Sequence, residues 1–345
     1  MNQVQPLAIA GIYEVCIGVT DAVPQIQYWE QFGYRIGQIG ELSASAAGEL
    51  YGVRSKVRSV RLDHQDADHG LIRLMVWEKS TNDGLEMLSM KVKGNRWATT
   101  LTADLLNILN HAEDAQSANL PVKYTSPRWE VIYNKERKAR PFIGAAVGVR
   151  EMMLLQPLTR QVFFQRFNYA LPNYGKIDEN AFFKTSQITH MGMIIQDDSK
   201  ETLLFYEEVL GLIRARDDVE TTFESSLAGR EIFDLHPGEK FVVTAFDDPR
   251  ASKTDFAAAR SGRLYILRFP SSIALGDRFN HANPGCLGMS LYTYRVSSIA
   301  EYFHRVKASN AQKITEIVPN EFGEPSFSFT APDGYFWTLI ESGSQ

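Results

Sequence analysis

The chain has 345 residues, 44% of them apolar and 22% charged, more than a single compact core normally holds, so two globular units are expected. A net charge of −5 without any long Lys/Arg run excludes a dedicated nucleic-acid binder, because recognition of a phosphate backbone needs clustered positive charge. The two cysteines, Cys16 and Cys286, lie far apart in apolar stretches, which excludes a disulfide framework or a CxxC metal site and fits a reducing compartment. Met1 to Ala10 has no positive charge ahead of its few apolar residues, and nowhere do about eighteen apolar residues run unbroken. No membrane partner and a cytoplasmic location are therefore expected.

In chain order, Ile12 to Val19 reads as an apolar strand leading through Asp21 into a helix with Tyr28-Trp29, which stops near Gly33 before Tyr34 restarts an extended run. His64 and His69 flank Asp66 and Asp68 in a hairpin, where a solvated turn explains the acidic cluster. Trp97 to Leu101, Asp104 and a helix through Leu106, Leu109 and Ala112 repeat the order. Val149 to Leu155 is read as the closing strand of this second unit, with Glu151 a carboxylate in an otherwise apolar run. Pro157 to Gln187, with Phe163, Phe164, Phe167, Tyr169 and Tyr174, is too apolar for a free linker and is expected to pack as a crossover.

Ile188 to Ile195, containing His190, opens a third unit, with Asp197 starting a helix that carries Phe205-Tyr206 and ends at Gly211. His236 lies in a His-Pro-Gly turn, and Pro249 to Gly262 reads as a surface insertion with helical character. After His281, in a loop, Cys286 to Leu291 starts a fourth unit, whose helix carries Tyr302-Phe303 and which closes on Ala331 to Glu341 through a Pro-Asp-Gly turn. The recurring aromatic pairs sit where a helix packs on a sheet and are assigned to the core. One unit, a strand, a helix and three strands, thus occurs four times.

This unit, with its Ala-Pro-Asp-Gly-Tyr-Phe-Trp ending, resembles the module of the vicinal oxygen chelate superfamily, which includes glyoxalase I, extradiol dioxygenases, epimerases and bleomycin-resistance proteins. The resemblance implies an α+β fold of four βαβββ modules paired into two curled-sheet half-barrel domains. Domain one, 1–157, would hold modules at about 8–85 and 94–157; residues 158–187 would be the crossover; domain two, 188–345, would hold modules at about 188–272 and 284–345.

The resemblance further implies a divalent metal (Fe, Mn, Ni or Zn) held by His and Glu from the first and last strands of paired modules, with open positions for two substrate oxygens. Aligning the modules on the residues taken to open their helices (Asp21, Asp104, Asp197, Arg295) puts Glu14, Trp97, His190 and Gly288 at one first-strand position. The closing-strand ligand position four residues after the Pro-Asp-Gly glycine is Thr338, and Glu341 falls on the other face. The expected metal ligands are His190, Glu14 and Glu151. His190 and His236 are the expected acid–base residues, His236 because extradiol enzymes keep such a histidine at a similar distance. Gly288 and Thr338 at two ligand positions rank isomerisation, epimerisation or lyase chemistry above ring cleavage. The alternative is a metal-free protein of the bleomycin-resistance type that sequesters an aromatic ligand, which Trp97, Gly288 and Thr338 favour. Either way the partner is a small molecule, and a homodimer is compatible.

Overall fold

The computed structural model describes residues 9–135, 145–197, 201–252, 255 and 258–343. Module one comprises β1 (Ile9–Val19), α1 (Ala22–Glu30), β2 (Tyr34–Leu42), α2 (Ala44–Tyr51), β3 (Val57–His64) and β4 (Leu71–Trp77). Module two comprises β5 (Arg96–Thr102), α3 (Leu105–Ser117), β6 (Arg128–Lys135), β7 (Ala145–Leu155) and β8 (Arg160–Phe167). In module three, β9 (Thr185–Gln196) precedes α4 (Glu201–Leu204), which widens into a π turn at Phe205–Val209; β10 (Val219–Thr222), α5 (Leu227–Ile232), β11 (Lys240–Asp247) and β12 (Arg263–Phe269) follow. Module four comprises β13 (Gly288–Val296), α6 (Ile299–Lys307), β14 (Pro325–Thr330) and β15 (Phe336–Glu341).

Local chemistry starts and stops the helices as expected. The Asp21 carboxylate accepts from the Val23 N–H and Asp104 from the Asn107 N–H, each satisfying a first-turn donor with no partner inside its helix. Gly211, at φ +71°, supplies the left-handed residue after the π turn. Residues 198–200, where the helix after Asp197 opens, lie outside the described residues, as do 253, 254, 256 and 257 of the expected surface insertion. Trp29, Tyr206 and Tyr302, one from each aromatic pair, are buried in the main core.

In each module the first strand lies parallel to the last: β1 to β4, β5 to β8, β9 to β12 and β13 to β15. The modules then pair through their first strands, antiparallel, in a nested order. β1 joins β13, so modules one and four share sheet one; β5 joins β9, so modules two and three share sheet two. This corrects the expected grouping of one with two and three with four. All four first strands are almost wholly buried and offer similar edges, so their order along the chain does not select partners. Specific cross-strand chemistry accompanies the observed pairing, as where Thr293 Oγ1 donates to Glu14 directly opposite it.

Module two also ends later than expected. A tight turn, in which Gln156 and Thr159 exchange backbone hydrogen bonds, follows β7, and β8 is the closing strand. The expected crossover therefore shrinks to residues 168–184, its aromatic start being strand.

The two sheets meet at the motif that carried the resemblance. Asp333 accepts from the Tyr335 N–H at 3.0 Å and from the Tyr206 hydroxyl at 2.6 Å, closing the Pro-Asp-Gly turn onto module three. The Tyr335 hydroxyl accepts from the Ile194 and Gly94 N–H groups and lies 2.9 Å from the Asn95 and Ile194 carbonyls, tying the closing turn to the first strand of module three. Arg96, buried with no carboxylate partner among the described residues, donates to the carbonyls of Ala282 and Phe336 and lies against the Tyr335 ring. Among the described residues no helix is long and apolar enough to cross a membrane.

Candidate functional site

The curled faces of the two sheets differ in how they are filled. In sheet one, Glu14 is fully buried and gripped by the guanidinium groups of Arg61 (2.6 Å) and Arg73, with the Thr293 hydroxyl at 2.9 Å. A loop between the short strand at Val318–Pro319 and β14 inserts Glu321 against Arg73, Tyr51 and Ser59, and Glu324 against Arg61 and Arg295. Phe322 from the same loop stacks 4.0 Å from the Arg61 guanidinium. Three carboxylates meet three guanidiniums, so the charges are matched and multiply hydrogen-bonded, which buried ions require. Burial raises the Glu14 pKa, but Arg61 and Arg73 outweigh it and hold the group below the usual carboxylate range.

Sheet two is open. Its curl and α5 enclose a cavity of about 430 Å3, lined by Trp97 and Thr99 of β5, Val162 and Phe164 of β8, Phe241 and Val243 of β11, and Tyr265 and Leu267 of β12. These lining residues recur at every second position, as strand alternation demands. Glu130 of β6, Glu151 of β7 and His190 of β9 supply chemistry, Phe233 closes one side, and Arg216 and Glu220 stand exposed at the mouth. Gly192 makes room for the Trp97 indole: a Cβ there would lie 1.9 Å from the ring. Trp97 in turn stands edge-to-face on Phe233.

His190 is 3% exposed, among the rings of Phe164 (5.0 Å), Tyr265 (5.1 Å) and Tyr174 (6.1 Å). Its Nδ1 faces the Thr189 hydroxyl at 3.0 Å and the Tyr174 hydroxyl at 3.3 Å, while Nε2 is buried with no hydrogen-bond partner among the described residues. Burial first, then the nearby charges of Arg263, Arg166 and Arg216, push its pKa well below that of a free histidine, so the ring is neutral at physiological pH. Glu151 is beside Phe164 in the strand register, and its side chain makes no hydrogen bond to a described residue. Burial and the neighbouring Glu130 push it up to about 8. Phe164 therefore touches His190 on one side and neighbours Glu151 on the other.

The structure thus brings His190 and Glu151 to one cavity, through the pairing of modules two and three, although Glu151 lies on the penultimate strand of its module and not the closing one. It separates them from the other two expected residues. Glu14 is in sheet one, neutralised by arginines. His236 is exposed in its turn, its backbone N–H bonded to Glu239, and does not line the cavity. Module four's helix is capped by Ser298, not Arg295, so the first-strand position equivalent to Glu14 is Leu291 rather than Gly288. Thr338 is buried and bonded to Ser328 at 2.7 Å. The hairpin histidines are not solvated: His64 faces the Thr185 carbonyl and His69 bridges Asp68 and Ser261.

Sequence reasoning missed Thr189 and Tyr174, which orient His190, and Arg216. No local pattern marked them, because Tyr174 comes from the crossover and Arg216 from a loop.

The expected set of His190, Glu14 and Glu151 for a divalent ion is not assembled. Among the described residues, no three His, Cys, Asp or Glu side chains are grouped so that they could hold a metal ion. The three arginines whose charge reaches His190 also oppose a cation there. The same field favours a ligand oxygen that carries or develops negative charge.

No protein-family model matches this sequence, and no curated protein matches it. Solved structures do. A putative dioxygenase from Bacillus subtilis subsp. subtilis str. 168 is similar over 98% of this chain and 87% of its own, with a TM-score of 0.54 at 10% identity. Glyoxalase I from Zea mays is similar over 96% of this chain and 92% of its own, with a TM-score of 0.51 at 12% identity. The chain has the vicinal oxygen chelate fold, in its four-module form.

Proposed function

We propose that the sheet-two half-barrel is the working site, that it takes a small, flat molecule with neighbouring oxygens, and that His190 and Glu151 move a proton on it, in the manner of an isomerase, epimerase or lyase. The observation that carries this reading is a buried, neutral imidazole whose Nε2 lacks a partner, lining the same aromatic cavity as a carboxyl group raised toward neutrality.

The Thr189 hydroxyl donates to the Thr99 carbonyl, so its lone pair faces Nδ1. That arrangement keeps the ring proton on Nδ1 and leaves Nε2 as the proton acceptor. Glu151, largely protonated at neutral pH, is the matching donor for an enolate oxygen, and the field of Arg216, Arg166 and Arg263 stabilises the negative charge that develops. Trp97, Phe164 and Phe233 supply flat apolar walls for an aromatic substrate. No step is assigned to a metal ion, since the donor set does not fit one. Trp97 at a first-strand ligand position also suits the sequestering alternative, in which the cavity binds without reacting.

One experiment separates the two: incubation with α-hydroxyacetophenone in D2O, following deuterium entry at the carbon beside the carbonyl by NMR, with binding followed by tryptophan fluorescence. Exchange above the buffer rate, lowered about 10²- to 10⁴-fold in His190→Gln, is expected. Binding without exchange would establish the sequestering reading, and exchange untouched by His190→Gln would remove the proton-transfer role.

A further inference from the structure

A second cavity, of about 710 Å3, opens at one end of sheet one, between the segment after α2, the segment after β4, the loop before β13 and the strands of module four. Three cationic side chains line it, Arg54, Lys79 and Lys313, and no Asp or Glu does. In a chain with a net charge of −5 this is a local reversal of sign. None of the three forms an ion pair with a described residue, whereas Lys56, Lys91, Lys93, Lys176 and Lys240 each hold a carboxylate. Unpaired cations lining one concavity raise the positive potential inside it.

A second feature points to what else the ligand carries. Asn283, in the wall of the cleft, has its Oδ1 buried with no hydrogen-bond partner among the described residues, which costs free energy unless a donor reaches it. A fully ionised phosphate or carboxylate group supplies only acceptors, so a hydroxyl on the same molecule is the donor that would match this oxygen. Tyr51 and Phe336 add apolar surface.

We infer that this cleft binds a hydroxylated organic anion, a phosphate ester or a hydroxycarboxylate, held by Arg54, Lys79 and Lys313 through its charge and by Asn283 through a hydroxyl. The site is separate from the sheet-two cavity and shares no lining residue with it.

The test is isothermal titration calorimetry of the full chain with glycerol 3-phosphate and with citrate, the two probes distinguishing the ester from the carboxylate. At least one is expected to bind, with affinity falling as salt is raised. Lys79→Ala and Lys313→Ala should each weaken it about tenfold, and Asn283→Ala should weaken the hydroxylated probe relative to inorganic phosphate. Lys56→Ala, at an exposed lysine paired with Glu41, should change nothing. Lys79 and Lys313 are exposed and unpaired, so their removal leaves folding intact, and Lys313→Glu provides a second variant that should abolish binding. Absence of binding for both probes, or equal losses in Lys56→Ala and Lys79→Ala, would overturn the inference.

Discussion

The two half-barrels share one architecture and have opposite interiors. Sheet one fills its curl with six charged side chains that neutralise one another and seals it with the loop carrying Phe322. Sheet two leaves its curl open and places in it His190, whose buried Nε2 has no hydrogen-bond partner among the described residues, and Glu151, whose carboxyl is pushed up to about 8. A fold of this kind can thus use the same strand positions either to compensate buried charge or to leave it available, and the available set is where chemistry is expected.

The contrast can be broken most forcefully from sheet one. Glu14→Ala leaves Arg61 and Arg73 buried with one carboxylate fewer, and should destabilise the chain by about 3–5 kcal/mol in urea unfolding. Ligand binding in sheet two should survive at temperatures where the variant remains folded. A loss near zero would mean that the ionic lattice is not compensating charge. Next in size is Gly192→Ala, whose methyl group must displace the Trp97 ring. A cost of about 1–3 kcal/mol is expected, together with a shifted tryptophan emission and a smaller cavity.

A pH experiment sharpens the description of sheet two. Glu151 has a folded pKa raised to about 8 from an ordinary value near 4.5, so the folded chain binds the extra proton between those values. The stabilisation from this group is fully present below about pH 4.5 and is lost as pH rises to about 8. Glu151→Gln removes that loss. Its stability relative to the parent should therefore rise by on the order of 4 kcal/mol between pH 5 and pH 9, measured by thermal unfolding. A difference independent of pH would place the carboxyl group in solvent. The smallest effect belongs to His236→Ala, which should alter stability and ligand binding by less than about 0.5 kcal/mol, as befits an exposed turn residue.

Much of the fold was legible because it is locally written. Asp21 and Asp104 cap their helices, Gly211 ends another, and the Pro-Asp-Gly turn closes module four. Module pairing was not legible, since it depends on which buried edges meet. The site divides in the same way. His190 was recognisable from its place in an apolar strand, whereas the neutralisation of Glu14 comes from arginines 47 and 59 positions away, whose remaining charge is matched by carboxylates on a loop still further along. Glu151 was found with the wrong strand assignment because the turn at Gln156–Thr159 hid the true closing strand. His236 failed because distance along the chain says nothing about which side of a helix-to-strand turn faces a cavity.

The nested pairing also orders events in time. Modules two and three are neighbours in the chain, so the inner half-barrel can close as soon as β12 has been synthesised, while β1 must wait for β13, with Glu14 and Thr293 lying 279 residues apart. β1, made long before β13, is among the last strands to find its second partner and presents an exposed hydrophobic edge until then. Pulsed hydrogen exchange during refolding should protect the amides of β5 and β9 before those of β1; protection in the reverse order would contradict this sequence of assembly. A chain cut short before β13 would consequently keep a closed sheet two beside a β1 paired to β4 on one edge and bare on the other, a form prone to swap or aggregate through that bare edge.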